Sequence, residues 1–237
     1  MRLALAIPCY NEARNLPAVV ERCRPLAAAG HHLVLVDNGS TDDTPAVMQR
    51  LLTGMAGFST IRIPVNQGYG HGICQGLEAA AATGAEILGW THADQQTDPQ
   101  DALRGLELFA GRDPERVFVK GRREGRPLRD TAFTMGMSVL ELALFRAWLP
   151  DINAQPTMFG RGFLARWGRP PADFSLDLHA FWMAHAQGFE IRRFPVRFGP
   201  RLYGTSHWND GLRGRWKFIR RTIAYSMALK SQQKGMP

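Results

Sequence analysis

The sequence lacks the marks of several large protein classes. Its three cysteines, Cys9, Cys23 and Cys74, are scattered through 237 residues. They show neither a disulfide framework nor zinc-ligand spacing, and they read as buried thiols that behave as small hydrophobes. No apolar run reaches the roughly 18 residues a bilayer span requires. The apolar start, MRLALAIP, is too short for a signal peptide and leads straight into CYNE, so a reducing, cytoplasmic location is expected. There are no internal repeats and no low-complexity linker. The P-loop pattern G-x-x-x-x-G-K-[ST] is missing, and no G-x-G-x-x-G follows the first predicted strand. Without a recognition helix or an aromatic stacking platform, nucleic acid is not an expected partner.

What remains is a chain with 45% apolar and 21% charged residues, enough to bury the core of one α/β domain. Its net charge of +8 is concentrated late, in Arg192, Arg193, Arg197, Arg201, Arg213, Arg215, Lys217, Arg220 and Arg221. Such an excess suits nucleotides, phospholipid surfaces or phosphorylated acceptors, and it also occurs on soluble proteins with no such partner.

Strand and helix patterns alternate four times in the first hundred residues. LALAIP (3–8), HLVLV (32–36), STIRI (59–63) and ILGWTH (87–92) read as strands. Helical periods fall over 12–29, 44–52 and about 71–83. That alternation predicts a parallel sheet with helices on both faces, and ligands bind such sheets beyond the carboxyl ends of the strands. Four polar clusters, PCYNE, DNGSTDD, NQGYGHG and HADQQTDP, lie at those ends. Farther on, VFVKG predicts another strand and 131–147 a helix. DINAQPTMF and GRGFLARW look irregular, 176–187 is helical, and FEIRRFPVRF alternates like a pair of strands. A basic amphipathic helix closes the chain, with Trp216, Ile219, Ile223 and Met227 near one stripe. It reads equally as a membrane-surface helix or as one packed on the domain.

The clusters carry candidate chemistry. Glu12 and Asp37, at adjacent strand ends, can accept hydrogen bonds from a ribose or a base imide, although either alone would read as a capping or solvated residue. Asn66 and the glycines Gly68, Gly70 and Gly72 precede a helix whose N-terminus would favour phosphate. His92, Asp94 and Gln96, alternating as they leave a strand, are expected to converge on Mg²⁺ or Mn²⁺. Asp98 or Thr97 as a helix cap is the plain alternative.

IPCYNE, VDNGSTDDT, NQGYGHG and HADQQTDP, in that order, resemble the successive motifs of family 2 glycosyltransferases with the glycosyltransferase-A fold. The subgroup they resemble transfers sugars to dolichyl or polyprenyl phosphate. Its usual D-A-D-x-Q motif has His92 here in place of the first Asp. The resemblance implies a Rossmann-like α/β fold with a mostly parallel central sheet flanked by helices. It also implies a nucleotide pocket lined by Pro8, Tyr10, Glu12, Asp37, Asn38, Asn66 and Gly70. Asp94 and Gln96, with His92, would hold the divalent cation. VKGRREGRPLRD resembles a K-G-x-R-x-x-R segment and RLYGTSHW an R-x-x-G-x-S segment. Arg123, Arg126, Arg201 and Ser206 are thereby implied at donor or acceptor phosphates, a contact to which Arg is well suited. Asp151 matches an Asp near the acceptor and is the first candidate for a base, with Asp177 second.

The expected organisation is a catalytic domain over 1–211, divided into a nucleotide-sugar half (1–115) and an acceptor half (116–211), followed by the basic helix 212–237. The expected function is inverting, metal-dependent transfer from a nucleoside-diphosphate sugar to a polyprenyl-phosphate or glycan acceptor, with an option of peripheral membrane contact. The alternative is a nucleotide-sugar-binding protein without turnover, motivated by His92. A sugar-nucleotide pyrophosphorylase would need a Gly-rich, Arg-containing loop after the first strand, and none is present. Oligomeric state is left open.

Overall fold

The first strand shows how the sequence builds the sheet. In β1 (Leu3–Cys9), Leu3, Leu5 and Ile7 face one side and Ala4 and Ala6 the other, and all are fully buried. The leucine side packs in the core with Leu16, Val19, Cys23 and Leu26 of α1 (Leu16–Ala28). The alanine side lets α3 (Tyr69–Ala82) ride close. A Cβ on Gly76 would meet Ala6 Cβ and Val36 Cγ2, each at 2.8 Å. Burial on both faces is the mark of a parallel sheet.

This computed structural model describes residues 1–126, 128–201 and 211–233, with backbone alone at 128–130, 132–133, 211–219 and 232–233. Between these elements run β2 (His32–Asn38), α2 (Thr44–Leu52), β3 (Phe58–Ile63), β4 (Ile87–Trp90) and α4 (Asp101–Glu107). They are followed by β5 (Val117–Glu124), α5 (Leu128–Phe145), β6 (Thr157–Gly160), α6 (Phe163–Arg166), α7 (Leu176–Ala186), β7 (Glu190–Arg197) and α8 (Gly211–Gln233).

The strands form one seven-stranded sheet in the order β3-β2-β1-β4-β6-β5-β7. β1, β2, β3 and β4 pair in parallel, as do β5 and β7. Strand β6 runs antiparallel to both of its neighbours. Two sequence expectations are corrected here. The stretch read as irregular contains β6, and FEIRRFPVRF forms a single strand whose alternation reflects its parallel seat beside β5.

The chain divides into two compact units. One unit comprises 1–126 and 153–203, and the other comprises 127–152 and 204–237. The second unit brings α5 and α8 together. There α8 buries Thr222, Ser226 and Leu229, whereas Ile223 and Met227 are exposed. Of the two readings of the apolar stripe, exposure of Ile223 and Met227 does not fit packing on the domain; the side chains of Trp216 and Ile219 lie outside the described residues. Among the described residues no helix is long and apolar enough to cross a membrane.

Candidate active site

Because β1 to β4 run parallel, the loops after them share one edge, and hydrogen bonds lace these loops together. Asn11 takes a left-handed backbone at φ 57°, a conformation that Asn tolerates better than most residues. Its side-chain oxygen accepts from Thr41 N at 2.8 Å. Glu12 N donates to Thr44 Oγ1 at 2.8 Å. Asn15 bonds to the Glu12 carboxylate, and Gln95 Nε2 donates to Asn15 Oδ1 at 2.8 Å. The loop after β1 is thereby tied to those after β2 and β4. Burial, chiefly, raises the Glu12 pKa; the Asn15 hydrogen bond opposes it, Asp94 adds to it and Arg201 opposes it. Glu12, Asp94 and Arg201 therefore share one electrostatic environment.

Asp37, at the end of β2, is buried. Its Oδ1 accepts from Ser40 N at 3.0 Å. Its Oδ2 lies 3.3 Å from Arg62 Nε without an aligned hydrogen bond. A buried carboxylate oxygen with unspent acceptor capacity is rare and fits a ligand N–H or O–H. Consecutive strand residues face opposite ways, so Asn38 turns to α3, where its Nδ2 donates to Gly68 O at 3.1 Å and its amide packs on Gly72. Asn38 ties β2 to α3 and does not stand beside Asp37.

The glycine cluster also reads differently in three dimensions. An added Cβ on Gly68 would collide with Ala172 O, and one on Gly70 with Pro171 O. His71 N donates to Ala172 O at 3.0 Å. The close approach these glycines allow is to the chain's own 171–173 segment, which gives Gly70 a packing role beside the nucleotide role expected of it. Asn66 is exposed and accepts from Gly68 N at 2.8 Å. Tyr10 is exposed and Pro8 half-buried at the end of β1.

After β4 the chain turns, and this turn rather than strand alternation gathers His92, Asp94 and Gln96. Gln95 is left-handed at φ 61°, and Gln96 N donates to Asp94 Oδ1 at 3.1 Å. Asp94 is only 5% exposed. Its Oδ2 accepts from Arg201 Nη2 at 2.7 Å and lies 3.9 Å from His92 Nδ1. Gln96 Nε2 donates to Gly199 O at 3.3 Å, and Gly199 N returns to Gln96 O at 2.8 Å. This stitch also brings in the basic loop, because the Arg123 and Arg126 guanidiniums lie 5.1 and 5.7 Å from the Phe198 ring centre. Arg201 thus reaches Asp94 itself, whereas Arg123 and Arg126 lie against Phe198, the residue before Gly199. Ser206 lies outside the described residues.

A layer that sequence reasoning missed lies behind His92. Tyr69 Oη and His92 Nε2 share a hydrogen bond of 2.7 Å, and the Tyr69 ring stacks on Phe174 with centres 4.5 Å apart. Burial first, and then the Asp177 carboxylate beside it, push the Tyr69 pKa well up, so the phenol stays protonated. Asp177 is 1% exposed; its Oδ1 accepts from Gln155 Nε2 at 2.7 Å and lies 3.5 Å from Lys120 Nζ. Lys120, fully buried, also donates to Thr157 Oγ1 at 2.8 Å. Sealed and paired in this way, Asp177 supports the site from beneath, and its expected role as a base gives way to that one. A lysine inside the apolar run VFVKG was the available signal. Asp151, left-handed at φ 54°, belongs to the unit that holds α5 and α8.

Among the described residues no three His, Cys, Asp or Glu side chains gather as for a caged metal ion. An imidazole, one carboxylate oxygen and an amide oxygen fit a hard cation that takes the rest of its shell from water and diphosphate oxygens.

The sequence profile of Glycosyl transferase family 2 matches residues 4–155. The chain is 31% identical over 220 residues to an uncharacterized glycosyltransferase of Mycobacterium tuberculosis, covering 90% of this chain and 92% of that one. It is 27% identical over 215 residues to the polyprenol monophosphomannose synthase of Mycolicibacterium smegmatis, covering 86% and 80%. In structure it is similar to the glucosyl-3-phosphoglycerate synthase of Mycobacterium tuberculosis in complex with Mn²⁺, UDP-glucose and phosphoglyceric acid. That match has a TM-score of 0.74 at 18% identity and covers 100% of this chain and 80% of the other. The shared architecture is the glycosyltransferase-A fold that the four motifs predicted. The chain belongs to glycosyl transferase family 2 and is an enzyme of the glycosyltransferase class.

Proposed function

We propose that this chain moves a sugar, with inversion, from a nucleoside-diphosphate sugar to a polyprenyl-phosphate or glycan acceptor, assisted by Mn²⁺ or Mg²⁺. The observation that carries the reading is the edge where Asp37 Oδ2, buried with unspent acceptor capacity, and the Asp94 turn stand on loops bonded to one another. Asp37 would accept from the base, and Glu12 from the ribose. Pro8 and Tyr10 would line that pocket, while Asn38 and Asn66 would hold the glycine-rich loop beside it through Gly68. The cation, held by Asp94, Gln96 and His92, would supply positive charge where the leaving diphosphate gains negative charge. The likeness to a polyprenol monophosphomannose synthase and to an enzyme in complex with Mn²⁺ and UDP-glucose supports the same assignment.

In the transfer, an acceptor oxygen attacks the anomeric carbon from the face opposite the diphosphate. The carbon–oxygen bond to the diphosphate breaks, and the nucleoside diphosphate leaves with that electron pair. Arg123 and Arg126 are the groups suited to an acceptor phosphate. A phosphate acceptor is already anionic and needs no base; an acceptor hydroxyl does, and Asp151, by its match to the family motif alone, is the candidate.

Peripheral membrane contact has its own support in the α5–α8 unit. Met135, Val139 and Leu142 on α5 and Ile223 and Met227 on α8 are exposed, whereas Ser138, Glu141, Thr222 and Ser226 are buried. Exposed apolar side chains with Arg146 and Arg220 among them suit an anionic lipid surface. Co-sedimentation with anionic vesicles, absent with neutral ones, is the expected result.

The test of the main reading is calorimetric binding of UDP, GDP and dTDP, each with and without Mn²⁺. Tight, Mn²⁺-dependent binding of one of them supports the donor site and names the base. Binding of none removes the reading. Binding without sugar transfer in an acceptor screen would count against the proposed acceptors and leave the donor site standing.

A further inference from the structure

Both carboxylate oxygens of Asp94 already hold a partner. Its Oδ1 accepts from the backbone N–H of Gln96 at 3.1 Å. Its Oδ2 is held by Arg201 at 2.7 Å, with His92 Nδ1 approaching the same oxygen at 3.9 Å. Arg201 is no wandering surface cation. Gly199, two residues before it, is bonded in both directions to Gln96 on the Asp94 turn. The Arg201 side chain is about a quarter exposed, against 6% for that of Asp94.

We infer that Arg201 and the divalent cation compete for Asp94 Oδ2, so that in the ligand-free chain the guanidinium neutralises Asp94 and a cation binds there only as Arg201 leaves. The inference rests on the donor-site reading and adds to it the order in which charges change partners.

The physical reasoning has three steps. A carboxylate this deeply buried needs a counter-charge, and Arg201 provides one before any ligand arrives. A dication on Oδ2 with a guanidinium still 2.7 Å from that oxygen would put like charges a few ångströms apart in a poorly screened place. The displaced guanidinium then needs a new anion, and a diphosphate offers oxygens that Arg binds well. Nucleotide and cation therefore assist one another through Arg201. By linkage the assistance is mutual: each tightens the other by the same factor. Mn²⁺ alone should bind weakly, and Mn²⁺ with nucleoside diphosphate tightly.

The experiment measures Mn²⁺ binding to the full chain, without nucleotide, from the loss of the free Mn²⁺ paramagnetic resonance signal. The parent, Arg201→Gln, Arg201→Lys and Asp94→Asn are compared, with circular dichroism confirming the fold of each. Arg201→Gln is expected to bind Mn²⁺ alone about tenfold tighter than the parent, within the usual range of coupling between sites. Added UDP or GDP should then tighten Mn²⁺ far less than it does in the parent. Arg201→Lys, which keeps the charge without the planar fork, should fall between the two. Unchanged or weaker Mn²⁺ binding by folded Arg201→Gln overturns the competition. If Asp94→Asn meanwhile loses Mn²⁺-dependent nucleotide binding, the donor site stands and only the competition falls. If Asp94→Asn binds as the parent does, the donor-site reading falls and takes the competition with it.

Discussion

The Tyr69 hydroxyl meets His92 Nε2 at 2.7 Å and leaves His92 Nδ1 on the side of Asp94. A residue that arrives with the glycine-rich loop thus fixes the ring standing where the family motif usually has an acid. Groups that orient a metal-ligating imidazole typically contribute 10- to 100-fold to metal affinity or activity. Tyr69→Phe keeps the ring that stacks on Phe174 and removes the hydroxyl alone. It is expected to weaken Mn²⁺-dependent nucleotide binding by roughly that factor while leaving thermal stability nearly unchanged. Calorimetry with Mn²⁺ and with EDTA checks it, and equal affinities in parent and variant would remove Tyr69 from the site.

Asp37 should matter for the base and not for the cation. Hydrogen bonds to charged groups contribute about 1.5–3 kcal/mol, so Asp37→Asn is expected to lose about 10- to 100-fold in nucleoside-diphosphate affinity with and without Mn²⁺. A loss confined to the Mn²⁺-containing titration would reassign Asp37.

Lys120 and Asp177 form a buried pair, and breaking one side of such a pair typically costs about 3–5 kcal/mol. Lys120→Met should therefore destabilise strongly, and Lys120→Met with Asp177→Leu should recover part of the loss. Urea denaturation of the parent, both single variants and the double variant measures the coupling. Additive losses would mean that the two side chains do not act as a pair.

Glu141 gives the α5–α8 unit a pH dependence. Burial lifts its pKa to about 7 against the Ser226 hydrogen bond, from an ordinary 4.5. The folded chain therefore holds a proton that the unfolded chain has lost between those two values. Stability from this group is full below about 4.5, declines as pH rises through about 7, and is flat beyond. Glu141→Gln should remove that slope and be the more stable protein at pH 8, as read by thermal unfolding across the range. An unchanged slope would place the titrating group elsewhere.

Much of the edge was legible because a parallel sheet leaves two plain records, an apolar run and a polar cluster after it. The record fails where burial does not follow polarity. β6 has four residues, Thr157–Gly160, too few to show a period. On α8 the apolar Ile223 and Met227 could mark a packed or a membrane-facing stripe, and the pattern could not choose: α5 presents Ser138 and Glu141, and polar Thr222 and Ser226 are the buried residues. Lys120 stands inside the predicted strand VFVKG, but its partners Thr157 and Asp177 are distant in sequence and left no local record. Gly70 suggested an external phosphate, and the backbone it admits proved to be Pro171. On that packing role, Gly70→Ala should cost about 1–3 kcal/mol of stability, as overpacking does. A loss of nucleotide affinity at full stability would favour the nucleotide role.

The antiparallel strand β6 also sets a schedule for assembly. The β1 partner of β4 precedes it in the chain, but the partner of its other edge comes later, since Ile87 lies opposite Gly160. β5 is synthesised sooner and cannot fill the gap, because it reaches β4 only through β6. A nascent chain thus carries an open strand edge until residue 160 has emerged, and such edges invite association with other chains. A fragment ending at residue 155, the limit of the family match, would retain the loops after β1 to β4 and still leave that edge bare. It should form aggregates where a fragment reaching past β7 stays dispersed.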